Sequence, residues 1–220
     1  DNDDTQTQTQ TFSATVNQCY GMTLTVDETS GNANPSSSVD FSITVTNTGN
    51  GEDTIEFQTM GASEWMPTLS EATSTVASGA EAQIVFTLTV PSDASANAQS
   101  GNAMVHAYSE ACGEDKMDCD YEAHVSVSVR ANQVYDITAG YYVNETGDEK
   151  KSASVDEGMS VQMKFSLANN GNGNDEVTLA LANAPAWVSL GQDTALIGPG
   201  QEAMTLTIDV MAPSADALGD

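Results

Sequence analysis

The chain is 220 residues long and sets 5 Lys or Arg against 32 Asp or Glu, a formal charge of −27, with 39% hydrophobic and 6% aromatic residues. Nucleic-acid and anionic-membrane binders need basic patches. With Lys116, Lys150, Lys151, Lys164 and Arg130 as the whole cationic complement, both functions are set aside, and no apolar run is long enough for a membrane-spanning helix. The apolar residues are few but periodic, as in a folded chain.

In chain order, Asp1-Asn2-Asp3-Asp4 does not read as a signal peptide, so a mature product or an excised segment is expected. Thr5-Gln-Thr-Gln-Thr-Gln-Thr-Phe12 alternates like a surface strand rather than a low-complexity tract. Short strands are predicted near residues 21–26, 38–47, 53–59, 82–90, 101–109 and 121–130, with a weaker extended piece near 65–69 or 73–76. Val, Thr and Ser dominate these stretches, and no helical period competes. Asn47-Thr-Gly-Asn-Gly-Glu-Asp53 separates two alternating strands, and Asn-Gly is favoured where the backbone must turn through positive φ. Pro91 ends a strand, where its missing N–H is tolerated.

The chain then repeats itself. At one constant offset, without a gap, Val39 coincides with Val161, Asn47 with Asn169, Gly49 with Gly171, Asn50 with Asn172 and Gly51 with Gly173. Asp53 likewise meets Asp175, Trp65 meets Trp187 and Pro91 meets Pro213. At a second, slightly shorter offset, Asn17-Gln18 and Tyr20 coincide with Asn132-Gln133 and Tyr135, and residues 11–16 overlay 126–131. A longer polar segment near 144–154 takes up the difference. Residues 1–18 are therefore expected to be the final strand of an upstream repeat, or a donor strand. Residues 19–131 form one complete domain. Residues 132–220 form a second domain lacking its last two strands. The chain reads as a window on a longer array, or as one whose missing strands come from partner chains. Strand spacing and polar, Gly-rich turns make the fold all-β, as tandem Ig-like antiparallel β-sandwiches.

Strand, Asn-x-Gly turn and Asp, strand, Trp, the Ser78-Gly79 turn, alternating strand, Val90-Pro91-Ser-Asp-Ala94, then Gly101 and a further strand: this order resembles the prokaryotic cell-adhesion-related (CARDB-like) Ig-like domains. It is similar also to the Ig-like modules appended to bacterial α-galactosidases and secreted proteases. The resemblance covers residues 20–130 fully and 132–220 in part. It implies non-catalytic domains and brings no catalytic residue with it.

Three cysteines raise the question of pairing. Cys112 and Cys119 bracket a short polar loop, and a disulfide between them in an oxidising compartment is preferred, with Cys19 as the alternative partner. Strict antiparallel register cannot place Cys112 opposite Cys119 without putting His106 opposite Val125, on the wrong face, so that pairing requires a bulge. Trp65 and Trp187, at equal spacing, are expected to plug the two cores. His106 and His124 point outward in their strands, as two exposed histidines or as neighbours able to share a metal. Glu110, Glu114, Asp115, Asp118 and Asp120 crowd the cysteine loop, and Asp175 with Glu176 sits at the expected interdomain joint. These oxygens are the candidate calcium ligands, although the spacing fits no defined calcium loop. Asn144-Glu-Thr146 is the one glycosylation sequon.

The leading functional expectation is a non-catalytic structural repeat of a secreted or cell-surface prokaryotic protein: a stalk, surface-layer or adhesin module. Its partners are expected to be further copies of the same repeat or protein, and cell-surface or matrix components. The alternatives are a filament subunit assembling by strand donation and an accessory module of a secreted glycosidase or protease.

Overall fold

The computed structural model describes residues 7–113, 121–142, 146–201 and 204–214. Nine strands lie between residues 22 and 131, most of them built on alternating apolar residues: β1 (Met22–Val26), β2 (Ser30–Ala33), β3 (Ser38–Asn47), β4 (Asp53–Met60), β5 (Thr68–Leu69), β6 (Thr73–Val76), β7 (Glu81–Thr89), β8 (Ala103–Ser109) and β9 (Glu122–Ala131). They form two sheets, ordered β1-β3-β7-β5 and β2-β9-β8-β4-β6. The alternation of β3 puts Phe41, Ile43 and Val45 inside, and that of β7 puts Ile84, Phe86 and Leu88 beside them. Ile55, Val105, Val127 and Val129 of the second sheet face them across one core. Side chains at alternate positions share a face, so each strand supplies one wall of that core.

The strands predicted from alternation are all present. Both of the weaker candidates, near 65–69 and 73–76, are present too, and they join opposite sheets: β5 pairs with β7 and β6 with β4. The strand the sequence pattern does not reveal is β2. Its Ser30-Gly-Asn-Ala33 carries no apolar alternation, and it is held by parallel pairing to β9, from Ser30 against Ser128 to Ala33 against Ala131.

The second repeat contributes β10 (Ile137–Tyr141), β11 (Ser160–Asn169), β12 (Asp175–Thr178), β13 (Val188–Leu190), β14 (Thr194–Ile197) and β15 (Met204–Met211). Its first sheet, β10-β11-β15-β13, copies β1-β3-β7-β5, whereas β12 and β14 stand as a two-stranded sheet. The lengths carry the reason. In β4, Asp53–Glu56 pairs with β6, and the ladder from Ile55 onward to Met60 pairs with β8. β12 ends where its β14 ladder ends, at Thr178 opposite Thr194. The buried cluster there is correspondingly small: Leu167, Ala195, Ile197 and Leu206.

This difference corrects one expectation. Trp65 is 5% exposed and packs in the first core, but Trp187 is 45% exposed. Equal spacing placed both at the same point of the repeat, but the core that would cover Trp187 is not built among the described residues. Residues 7–19 pair with no strand among the described residues and lie exposed. Phe12 and Val16, at positions matching the buried Val127 and Ala131, are 88% and 81% exposed.

Candidate functional site: the joint between the repeats

The site is built on a buried asparagine that appears twice. Asn47, 1% exposed at the end of β3, donates through Nδ2 to the carbonyls of Gly51 (2.9 Å) and Val76 (2.8 Å) and accepts from the Gly49 N–H (2.8 Å). Asn169 does the same: Nδ2 to Gly173 (2.8 Å) and Ile197 (2.9 Å), Oδ1 from Gly171 N–H (2.8 Å). A short amide side chain that bonds its own backbone two residues on makes a turn of fixed shape. Both donors are used as well, so the burial leaves little unsatisfied. Gly49 and Gly171 are required by close approach. A Cβ on Gly49 would lie 2.5 Å from the Cys19 carbonyl oxygen, and one on Gly171 would collide with that of Val134.

The turn holds the chain that enters the repeat. In the second repeat Val134 N–H donates to Asn172 Oδ1 (2.7 Å) and Asn172 Nδ2 to the Asn132 carbonyl (2.9 Å). Asn172 N–H reaches back to the Val134 carbonyl (3.3 Å), and Gln133 Nε2 donates to the Asn174 carbonyl (3.0 Å). The first repeat carries the same four bonds. Cys19 N–H donates to Asn50 Oδ1 (2.7 Å), Asn50 Nδ2 to Asn17 (3.1 Å), Asn50 N–H to Cys19 (3.1 Å) and Gln18 Nε2 to Glu52 (2.7 Å). The Asn-Gln pairs found by sequence matching are thus entry clasps. Glycine at 51 and 173 lets the glutamine lie flat, at 2.9 and 3.0 Å from a would-be Cβ to Gln18 Cδ and Gln133 Cδ.

Asn172 also reaches the preceding repeat. Its Nδ2 donates to the Ala94 carbonyl (3.1 Å), and its carbonyl accepts from Ala96 N–H (2.8 Å). Ala96 Cβ rests against Gly173, 2.7 Å from where a Cβ would stand. One residue therefore binds the turn, the linker and the neighbouring repeat, and an open cleft lined by Ser92, Asp93, Ser95, Asn170 and Pro199 flanks the contact. The loop itself is positioned by Ala94 N–H on Pro91 (3.1 Å) and Asn97 N–H on Ala131 (2.9 Å), with Arg130 bonded to Asn97 Oδ1.

The other sequence-derived candidates are distributed differently. Asp175 is buried and accepts from Gln133 Nε2 through Oδ1 (2.7 Å), while its Oδ2 is buried without a partner. Glu176 is exposed on the opposite face of β12, because neighbours in a strand point opposite ways, so the two carboxylates do not converge. Glu114, Asp115, Asp118, Asp120, Cys119 and Asn144 lie outside the described residues. Among the described residues no group of three or more His, Cys, Asp or Glu is arranged to hold a metal ion. Cys19, the alternative disulfide partner, is instead an exposed free thiol. His106 and His124 do stand opposite one another across β8 and β9, rings stacked at 5.2 Å, with His106 Nδ1 3.9 Å from Glu122.

Neither a family model nor a curated protein matches the sequence. Among solved structures, the chain is similar to a protein of unknown function from Porphyromonas gingivalis W83, at 13% identity and a TM-score of 0.36, covering 86% of this chain and 83% of that one. It is similar to the E. coli chaperone DraB at 8% identity and a TM-score of 0.34, covering 83% and 84%. A family 123 glycoside hydrolase from Clostridium perfringens aligns over 50% of this chain and 27% of its own, at 6% identity and a TM-score of 0.38. The β-sandwich is read from this chain's own sheets, and its function from its own joint.

Proposed function

We propose that this chain is a non-catalytic structural segment of a secreted or cell-surface prokaryotic protein, a stack of Ig-like repeats of the cell-adhesion-related kind serving as stalk, surface-layer or adhesion element. The supporting observation is the joint. A linker of a few residues whose backbone and side-chain groups are tied to both repeats restricts bending, whereas a flexible connector leaves such groups to water. A disulfide between Cys112 and Cys119 belongs to the proposal, supported by their short spacing and by the free state of Cys19. Mass mapping of the non-reduced protein tests it.

The joint is tested by pulsed electron resonance between spin labels at Thr25→Cys and Thr178→Cys, exposed strand positions in the two repeats, in a Cys19→Ser background. One narrow distance distribution is expected. A broad distribution, unchanged by Asn172→Ala, refutes a stiff stack.

A second reading, strand donation, is favoured by exposed Phe12 and Val16 and by the side of β12 that pairs with no strand among the described residues. That side corresponds to the position of β8, however, while residues 11–16 match β9. A donated strand would enter the wrong position with the wrong pattern. Sedimentation over a rising concentration series separates the readings, since donation requires assembly that Phe12→Asp abolishes.

A further inference from the structure

The entry clasps share the same four bonds; Gln133 additionally donates to Asp175, where Asp53 accepts from Ser109 instead, and the contact with a preceding repeat is made at only one of them. Asn172 uses a second Nδ2 hydrogen and its own carbonyl to hold Ala94 and Ala96 of the preceding repeat. Among the described residues, Asn50 Nδ2 bonds only to Asn17, and the Asn50 carbonyl to nothing. Burial follows the contact. Asn172 is half-buried and Gly173 buried, whereas Asn50 is exposed and Gly51 half-buried. The geometry around Asn50 is otherwise complete: turn, buried Asn47, glutamine over glycine, and linker bonds all match.

We propose that the Asn50–Gly51 corner is the receiving half of a further joint, and that its occupant is the loop equivalent to Pro91–Ala96 in another copy of this repeat, placed before it in the same polypeptide. This rests on the reading of stacked repeats and names the partner of the first repeat's entry face. The required chemistry is narrow. The occupant offers a backbone carbonyl to Asn50 Nδ2 and, two residues later, a backbone N–H to the Asn50 carbonyl. The residue that donates this N–H must carry a small side chain, which meets Gly51 as Ala96 Cβ meets Gly173. A second observation comes from residues 11–16. Phe12, Ala14 and Val16 fall at the positions of the buried Val127, Val129 and Ala131 of β9, the strand that leads into the clasp at Asn132-Gln133. In an occupied joint this segment is the last strand of the incoming repeat, and Phe12 and Val16 are buried in that repeat's core. The hydrogen bonds of the contact are made by amides, which are neutral, with Asp93 of the loop in the open cleft beside them.

The test is a three-repeat chain. A copy of residues 20–131, which carries the whole first core, is fused ahead of Asn17 of the intact chain, so that the copy's Ala131 runs into Asn17-Gln18 as Ala131 runs into Asn132-Gln133. Spin-label pairs, each in a Cys19→Ser background, span the new joint in one sample and the Asn172 joint in another. The expected result is a distance distribution across the new joint as narrow as across the Asn172 joint. Asn50→Ala then raises the undocked fraction about tenfold, the effect of losing one or two ordinary hydrogen bonds. Ala96→Phe confined to the added copy does the same without touching Asn50. A narrow Asn172 joint beside a broad new joint overturns the proposal, as does a narrow new joint indifferent to both substitutions. If both joints are broad, the stacked-repeat reading itself fails.

Discussion

Replacing Asn47 with alanine isolates the feature on which the joint is built. The side chain is 1% exposed and makes three hydrogen bonds, to Gly51, Val76 and Gly49, all to backbone groups. Each contributes about 1 kcal/mol net, and the Val76 carbonyl, bonded inside the core, is left without that partner at a cost of about 1 kcal/mol more. The sum is about 3–4 kcal/mol, against little lost apolar contact. For a repeat of this size that lowers the melting temperature by roughly 15 °C. The assay is thermal unfolding followed by Trp65 fluorescence in a Trp187→Phe background, so that the signal reports the first core. Asn47→Asp, nearly the same shape, loses both donors and buries a charge, and is expected to be at least as damaging. A loss below about 1 kcal/mol for Asn47→Ala, or a harmless Asn47→Asp, refutes the claim that the amide's two donors hold the turn.

The remaining predictions concern asymmetry between the repeats and the nature of the joint. Trp65→Ala is expected to cost about 3–5 kcal/mol, while Trp187→Ala, at a residue 45% exposed, costs under about 1 kcal/mol. Denaturant melts of the two variants check this. Gly173→Ala puts a methyl 2.7 Å from Ala96 Cβ. It should broaden the inter-repeat distance distribution, with a smaller effect on the melting of the first repeat than on the joint itself. Raising monovalent salt should raise the melting temperature by screening repulsion among 32 acidic residues. Replacing sodium by calcium at equal ionic strength should leave the joint distance unchanged, because Asp175 and Glu176 face opposite ways.

Much of the sheet structure was legible because burial on one face writes itself into sequence as alternation. Phe41, Ile43 and Val45 against Ile84, Phe86 and Leu88 need no other signal. β2 was not legible, since Ser30 to Ala33 owe their strand state to hydrogen bonds from β9 rather than to their own side chains. Asn47 is legible as a turn residue but not as a buried one, because a polar side chain at 1% exposure leaves no hydropathy trace. Trp187 shows the reverse: identical spacing predicts an identical place in the repeat, while burial depends on strands elsewhere. The joint has its signal in the repeat match itself. Asn17-Gln18 and Asn132-Gln133 precede strands in which few other residues coincide, and their coincidence has a cause in the clasp each makes with the following Asn-Gly turn.

The charge and the joint bear on one another. A surface with 32 acidic and 5 basic residues repels its own kind, and repulsion within a Debye length of about 10 Å or less at ordinary salt acts between any two faces brought together. Ion pairs offer little relief with so few cations. The hydrogen bonds between the repeats are made by neutral groups, Ala94, Ala96, Asn132, Val134 and Asn172, while Asp175 is buried against the Gln133 amide and Asp93 lines the open cleft beside the contact. Hydrogen bonds between amides depend weakly on ionic strength, so the axial contact holds over a range of salt. The strand faces, where the carboxylates lie exposed, keep neighbouring molecules apart. The predicted dependence on salt follows from this division: lateral association should respond to ionic strength, and the distance across the Asn172 joint should not.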